Sequence, residues 1–145
     1  MTTKEDLLYI TKIAEQSERF EDMIENMKKV VQMQPELTVE ERNLLSVAYK
    51  NNLGGRRSAY RVLESLEKKE EKKDNGGHVI FIRQYKKKVE TELIGICNEI
   101  IEIVDKTLIP AAKDSEAIVF YHKMKGDYFR YVSEASSGDA YTKAG

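Results

Sequence analysis

From Thr38 to Lys69 the chain contains no proline, and its apolar residues recur at intervals of three and four. Only an amphipathic helix satisfies that period over such a length. At about 30 residues it far exceeds the ~11–12 of an ordinary globular helix. A helix that long needs comparably long antiparallel neighbours to cover its apolar side, which restricts the fold to a bundle or a helical-repeat array. No residue-level repeat of fixed period is present, so repeat modules such as the tetratricopeptide type are disfavoured. The expected fold class is all-α, an antiparallel helical bundle.

Five helices are expected, over 3–17, 20–33, 38–69, 79–109 and 115–136. Thr3 followed by Asp6 resembles a capping box opening the first helix, whose apolar residues are Leu7, Ile10 and Ile13. The second places Phe20, Met23, Ile24, Met27, Val30 and Val31 on one face, and Pro35 prevents its continuation. Thr38 and Glu41 form a second capping box at the start of the long helix. The stretch "KKEEKKDNGG", residues 68–77, reads as the clearest loop. The fourth helix is expected to stop at Pro110, and the fifth at "SSGD", where Gly138 suits a left-handed C-cap. The remaining "GDAYTKAG" reads as a loop leading nowhere, as if the chain had been cut. At 145 residues the chain is sized for one domain, 1–145.

The long helix carries a narrow polar window. With an advance of ~100° per residue, Arg57 and Arg61 fall within ~20° of Lys50, joined by Asn43, with Ser46 and Glu64 at the margin. Leu44, Val47, Ala48, Ala59, Val62, Leu63 and Leu66 fill the far side, and Tyr49, Leu53 and Tyr60 the other shoulder. An ordinary solvated face mixes signs, with Glu four residues ahead of Lys or Arg. Here no acid lies between Glu41 and Glu64. Three like charges in one row repel one another, and an anionic ligand relieves that repulsion. On the fifth helix, Lys123 lies ~20° and Asp127 ~60° from Arg130, with Tyr131 beside them. Arg can hold an oxyanion by two N–H groups, and a tyrosine hydroxyl adds a third donor. Taken alone, Asp127 and Arg130 read better as an ordinary helical ion pair.

The segments "RNLLSVAYKN", "GGRRSAYR", "ICNEI", "LIP", "SEAIVFYHKMKGDYFRYVSE" and "SGD" resemble the 14-3-3 family in order and spacing, over essentially the whole chain. The resemblance implies a helical cup built from nine antiparallel helices, of which the first five are matched. It implies a non-catalytic adaptor that binds phosphoserine or phosphothreonine segments of client proteins. By position, the phosphate-binding residues are Lys50, Arg57, Arg130 and Tyr131, with Arg61 and Lys123 as neighbours in the groove. It further implies a dimer, with the same chain or with other family members. Ile13, Ser17, Arg19 and Asp22 of one protomer would meet Ala59, Leu63, Leu66, Tyr85, Lys88 and Glu92 of the other, with Arg19–Glu92 and Asp22–Lys88 as salt bridges. The later family helices supply much of the peptide groove, so this chain is expected to be a fragment with an incomplete groove. It is also expected to leave leucines, tyrosines and Met124 wet.

Several residues depart from the family pattern. Gly54-Gly55 stands where Gly-Ala is common, Tyr60 where Trp is, Asn52 where an aliphatic residue is, and Ala59 where a phosphorylatable serine is. The loop "DNGGH" is slightly longer. Each Gly costs a helix interior ~1 kcal/mol against Ala. Gly54 is expected to admit a neighbouring helix, whereas Gly55 has no physical account.

Other functions find little footing. Lys and Arg (24) balance Asp and Glu (25) to a net charge of -1, without the basic excess that marks nucleic-acid binding. His78 and His122 lack the neighbours of a catalytic triad, so no enzyme is expected. One cysteine, Cys97, in the apolar "LIGICNEI", reads as a core residue. Two histidines and one cysteine at these spacings make no zinc site, and neither a cofactor nor a metal is expected. The start "MTTKEDLLYI" lacks the apolar run of a signal peptide and no segment is apolar enough for membrane insertion, which suggests an intracellular, cytoplasmic protein. Two function classes remain: a phosphopeptide-binding adaptor, or a helical dimerisation module whose cations serve structural pairing alone.

Overall fold

The computed structural model describes residues 3–73 and 76–144, with side chains described through Ala135. Helix α1 (Lys4–Gln16) opens on a capping box: the Asp6 N–H donates to Thr3 Oγ1 at 3.1 Å, and the Thr3 N–H donates to Asp6 Oδ2 at 3.1 Å. It ends where the Arg19 N–H reaches back to the Ala14 carbonyl and Glu18 takes a left-handed φ of 58°. That turn reverses the chain into α2 (Phe20–Met33), which buries Met23, Ile24, Met27, Val30 and Val31. Helix α3 (Val39–Lys73) again starts on a capping box, with the Thr38 N–H donating to Glu41 at 2.8 Å and the Glu41 N–H to Thr38 Oγ1 at 3.2 Å.

Helix α4 (Gly76–Ile103) runs into a π-helical turn, Val104–Leu108, a single helical turn α5 (Ile109–Ala111), and then α6 (Ser115–Ala144). In the π turn the Ile109 N–H bonds to the Val104 carbonyl, five residues back. Val104 and Leu108 are both fully buried there. In sequence order α1 packs on α2, α2 on α3 and α3 on α4, after which α4 packs on α6. All described elements are helical, so the chain is all-α.

One core runs through the layers. Leu7 and Ala14, the α2 residues named above, Leu45, Ala48, Tyr49, Leu53, Leu93, Cys97, Ile100, Tyr121, Met124 and Tyr128 are all buried within it. Cys97 is fully buried, and burial pushes its thiol up to about 11. Burial also raises the Tyr49 phenol far above its ordinary value, reinforced by Glu99, to which its hydroxyl donates.

The structure corrects several expected boundaries and environments. Residues 68–73 continue α3 and residues 76–77 begin α4, while Asp74 and Asn75 lie outside the described residues. Lys and Glu are good helix formers, and ion pairs from Arg83 to Glu67 and Glu71 (both 2.8 Å) and from Lys86 to Glu67 (3.0 Å) hold that end on α4. His78 therefore stands in the first turn of α4. Pro110 does not end the fourth helix cleanly, because the helical backbone continues through the π turn and Pro110 sits within the single turn α5 that follows it. The fifth expected helix, α6, continues past 136 to Ala144, and no described glycine has a positive φ, so Gly138 is no left-handed cap. A Cβ built on Gly54 meets nothing within 4 Å, so among the described residues no neighbouring helix makes a close approach there. Met124, Tyr121 and Tyr128 are buried, and among the described side chains of α6 the large exposed apolar ones are Ile118, Val119 and Phe129.

Candidate functional site

Helices α3 and α6 run parallel, with α4 packed on both. Three contacts tie them in register. The Arg42 guanidinium lies 5.5 Å from the Phe120 ring, that of Arg57 lies 4.1 Å from the Tyr131 ring, and the Tyr60 hydroxyl donates to the Ala135 carbonyl at 3.0 Å. The narrow polar window of α3 thereby faces the charged row of α6. Tyr49, Leu53 and Tyr60 anchor the back of that window in the core, at 7% exposure or less.

Tyr131 is the meeting point. Arg57 approaches its ring from α3, and Arg130, the preceding residue on α6, lies 5.3 Å from the same centroid. On one side Tyr131 lines a cavity of about 230 Å³ with Ser46, Lys50, Phe120, Lys123, Met124, Asp127 and Tyr128. On the other it lines a cavity of about 220 Å³ with Arg57, Tyr60, Arg61, Glu64, Leu93, Glu134 and Ala135. The other five expected phosphate-site residues are thus gathered around Tyr131: Lys50 and Lys123 in the first cavity, Arg57 and Arg61 in the second, and Arg130 beside the ring.

Two acids pair with arginines of the cluster. Asp127 pairs with Arg130 at 3.7 Å, and Glu134 pairs across the helices with Arg57 at 3.1 Å. Among the described residues Lys50, Arg61 and Lys123 form no ion pair. The cluster keeps a positive excess, and its arginine forks and lysine amines are suited to an anion with several acceptor oxygens. Glu134 went unnoticed in the sequence, although it stands four residues after Arg130 on the same face. Among the described residues no group of three His, Cys, Asp or Glu side chains could hold a metal ion. No described helix is long and apolar enough to cross a membrane.

The expected dimer residues lie on two separate helix pairs. Ile13, half exposed, and Ser17, whose hydroxyl donates to the Ile13 carbonyl at 2.9 Å, close α1. Arg19 and Asp22 pair with each other at 2.6 Å rather than standing open. On α3 and α4, Leu66 and Tyr85 are exposed and Ala59 and Leu63 half-buried. Lys88 lies 6.0 Å from the Tyr85 ring, and Glu92 pairs with Arg56 at 3.2 Å. Tyr9, Ile10, Val62 and Phe81, not foreseen as surface residues, are also exposed.

Comparison with known proteins agrees with the sequence reading. The family model for 14-3-3 protein matches residues 10–145. The 14-3-3 family protein artA of Aspergillus flavus is 56% identical over 135 residues, which is 93% of this chain and 57% of that protein. Protein BMH2 of Saccharomyces cerevisiae is 54% identical over 143 residues, 98% of this chain and 52% of the relative. The checkpoint signal transducer rad24 of Schizosaccharomyces pombe is 53% identical over 138 residues, 95% and 51% respectively. The chain spans about half the length of the curated relatives it matches.

Proposed function

This chain belongs to the 14-3-3 family, and we propose that it is a regulatory adaptor that binds phosphoserine or phosphothreonine segments of client proteins. The observation that carries the proposal is the convergence on Tyr131. Arg57 and Arg130 come from different helices to within 4.1 and 5.3 Å of its ring, and Lys50 lines the cavity beside it. A phosphate group brings about -1.5 to -2 charges and three acceptor oxygens, which match two guanidinium forks, an ammonium and a phenol. The cluster has the donors to hold an oxyanion, in keeping with a binding role. The name of the rad24 relative, a checkpoint signal transducer, is in keeping with a signalling role.

The same proposal includes self-association, or association with other family members, in the cytoplasm. Ile13 on α1 and Leu66 and Tyr85 on α3 and α4 are 42–59% exposed, large enough apolar side chains to seek cover. Arg19 and Glu92 would exchange their partners within the chain, Asp22 and Arg56, for each other across the interface. Exposed pairs contribute only ~0–1 kcal/mol each, so the apolar residues dominate. A dimeric mass by light scattering supports this part, and a monomer at micromolar concentration opposes it.

The test of the main proposal is a paired calorimetric titration with one peptide sequence, phosphorylated and unphosphorylated. Binding that requires the phosphate supports the adaptor. Equal binding of both forms would favour a helical interaction module instead.

A further inference from the structure

Lys123, Asp127, Arg130 and Glu134 alternate in sign along α6 at intervals of four, three and four, which keeps them within ~60° of arc. The pair between Asp127 and Arg130 stays on its own helix. Glu134 does something different: its Oε2 crosses to α3 and accepts from Arg57 Nη2 at 3.1 Å. Arg57 is enclosed on its other side by the Tyr131 ring and retains 27% side-chain exposure, against 61% for Arg130. Of the three cations converging on the site, the most enclosed one therefore already holds an acidic oxygen on its fork.

Resting on the phosphopeptide reading, we propose that Glu134 is an internal stand-in for the ligand's phosphate. It occupies Arg57 in the unbound chain and competes with every incoming anion. Such a competitor is tethered, so its effective concentration reaches the millimolar range. A free anion or a lone carboxylate at lower concentration does not win Arg57 from it. A phosphate that engages Arg57, Arg130, Lys50 and the Tyr131 hydroxyl together gathers enough charge-assisted bonds to displace it. Glu134 thereby lowers affinity for all anions and leaves only multiply held ones bound. It is a positioning residue, acting through Arg57.

The test is a double-mutant cycle in phosphopeptide affinity, read by NMR titration so that weak binding is measurable. The four proteins are the wild type, Glu134→Gln, Arg57→Gln and the double variant. Gln is isosteric and Glu134 is half exposed, and helicity by circular dichroism checks that each variant folds. Removing the competitor should tighten binding about three- to ten-fold in the Arg57 background and leave it unchanged, within about two-fold, in the Arg57→Gln background. Selective wild-type binding that Glu134→Gln weakens or leaves unchanged overturns the inference alone. A gain of equal size in both backgrounds also overturns it, because the carboxylate would then act by general repulsion. Indifference to phosphorylation in all four proteins overturns the phosphopeptide reading and this inference with it.

Discussion

The guanidinium carbon of Arg57 lies 4.1 Å from the centroid of the Tyr131 ring, joining two helices whose sequences place these residues 74 positions apart (131 − 57). The ring holds the fork and the hydroxyl offers a donor, so the two roles separate by substitution. Tyr131→Phe keeps the ring and loses one hydrogen bond to a charged group, an expected cost of about 1.5 kcal/mol or roughly ten-fold in Kd. Tyr131→Ala loses the ring as well and should cost a further ~0.5–2 kcal/mol. Fluorescence titration with a phosphopeptide measures both, and equal losses would deny the ring its part.

Gly54 and Gly55 weaken the centre of α3 without any contact that requires them. Neither has a positive φ, and a Cβ on either meets nothing within 4 Å. Gly54→Ala and Gly55→Ala should therefore each stabilise the chain by about 0.4–1 kcal/mol. Urea midpoints at fixed protein concentration measure the gain. Destabilisation by either would reveal a close approach that forms only on association.

How much could be read beforehand depends on how local the cause is. Both capping boxes, at Thr3 with Asp6 and Thr38 with Glu41, were visible because their partners lie three residues apart. The row of Lys50, Arg57 and Arg61 was visible for the same reason, as a matter of helical period. Its meeting with Arg130 and Tyr131 was legible only through family resemblance, since no local pattern encodes which helices touch. The pairing of Glu134 with Arg57 was missed on that account. Residues 68–73 were misread as loop because high charge suggested solvent, while the helix propensity of Lys and Glu and the pairs to Arg83 and Lys86 prevailed. Val62 and Leu66 were grouped with the buried side of α3, but the core on that helix ends at Tyr60.

Acid should loosen the helix contacts through two carboxylates. Burial pushes the Glu67 carboxyl up, but its bonds from Arg83 and Lys86 outweigh this and hold it below its ordinary value. The bond from Lys125, at 2.7 Å, lowers Asp105. A group held lower when folded binds its proton more weakly than in the unfolded chain. Its stabilisation is complete above the ordinary carboxylate range and lost as pH falls through the folded value. Urea midpoints should decline from about pH 6 towards about pH 3, and Lys125→Met and Arg83→Gln should each flatten the decline. A profile that the variants leave unchanged would assign the acid sensitivity elsewhere.

The Cys97 thiol should be nearly inert in the folded chain. It is fully buried, and burial raises it to about 11 despite the opposing charge of Arg57. The thiolate is the reactive form, so alkylation by iodoacetamide at neutral pH should be slow and should accelerate sharply at the urea midpoint. Rapid alkylation of the folded protein would contradict its place in the core.

Phosphate binding depends on Lys50 more exposedly than on Arg57 or Arg130, because Lys50 lines the cavity beside Tyr131 without an ion-pair partner among the described residues, whereas those arginines pair with Glu134 and Asp127. Lys50→Glu replaces attraction by repulsion at that point and leaves the buried side of α3 untouched. The decisive measurement is the ratio of Kd values for one peptide, unphosphorylated over phosphorylated, in the wild type and in Lys50→Glu of equal helicity. A large ratio in the wild type that falls to about one in the variant is the expected result. A ratio that survives the charge reversal would mean that phosphate binds elsewhere, or that these cations do not hold it.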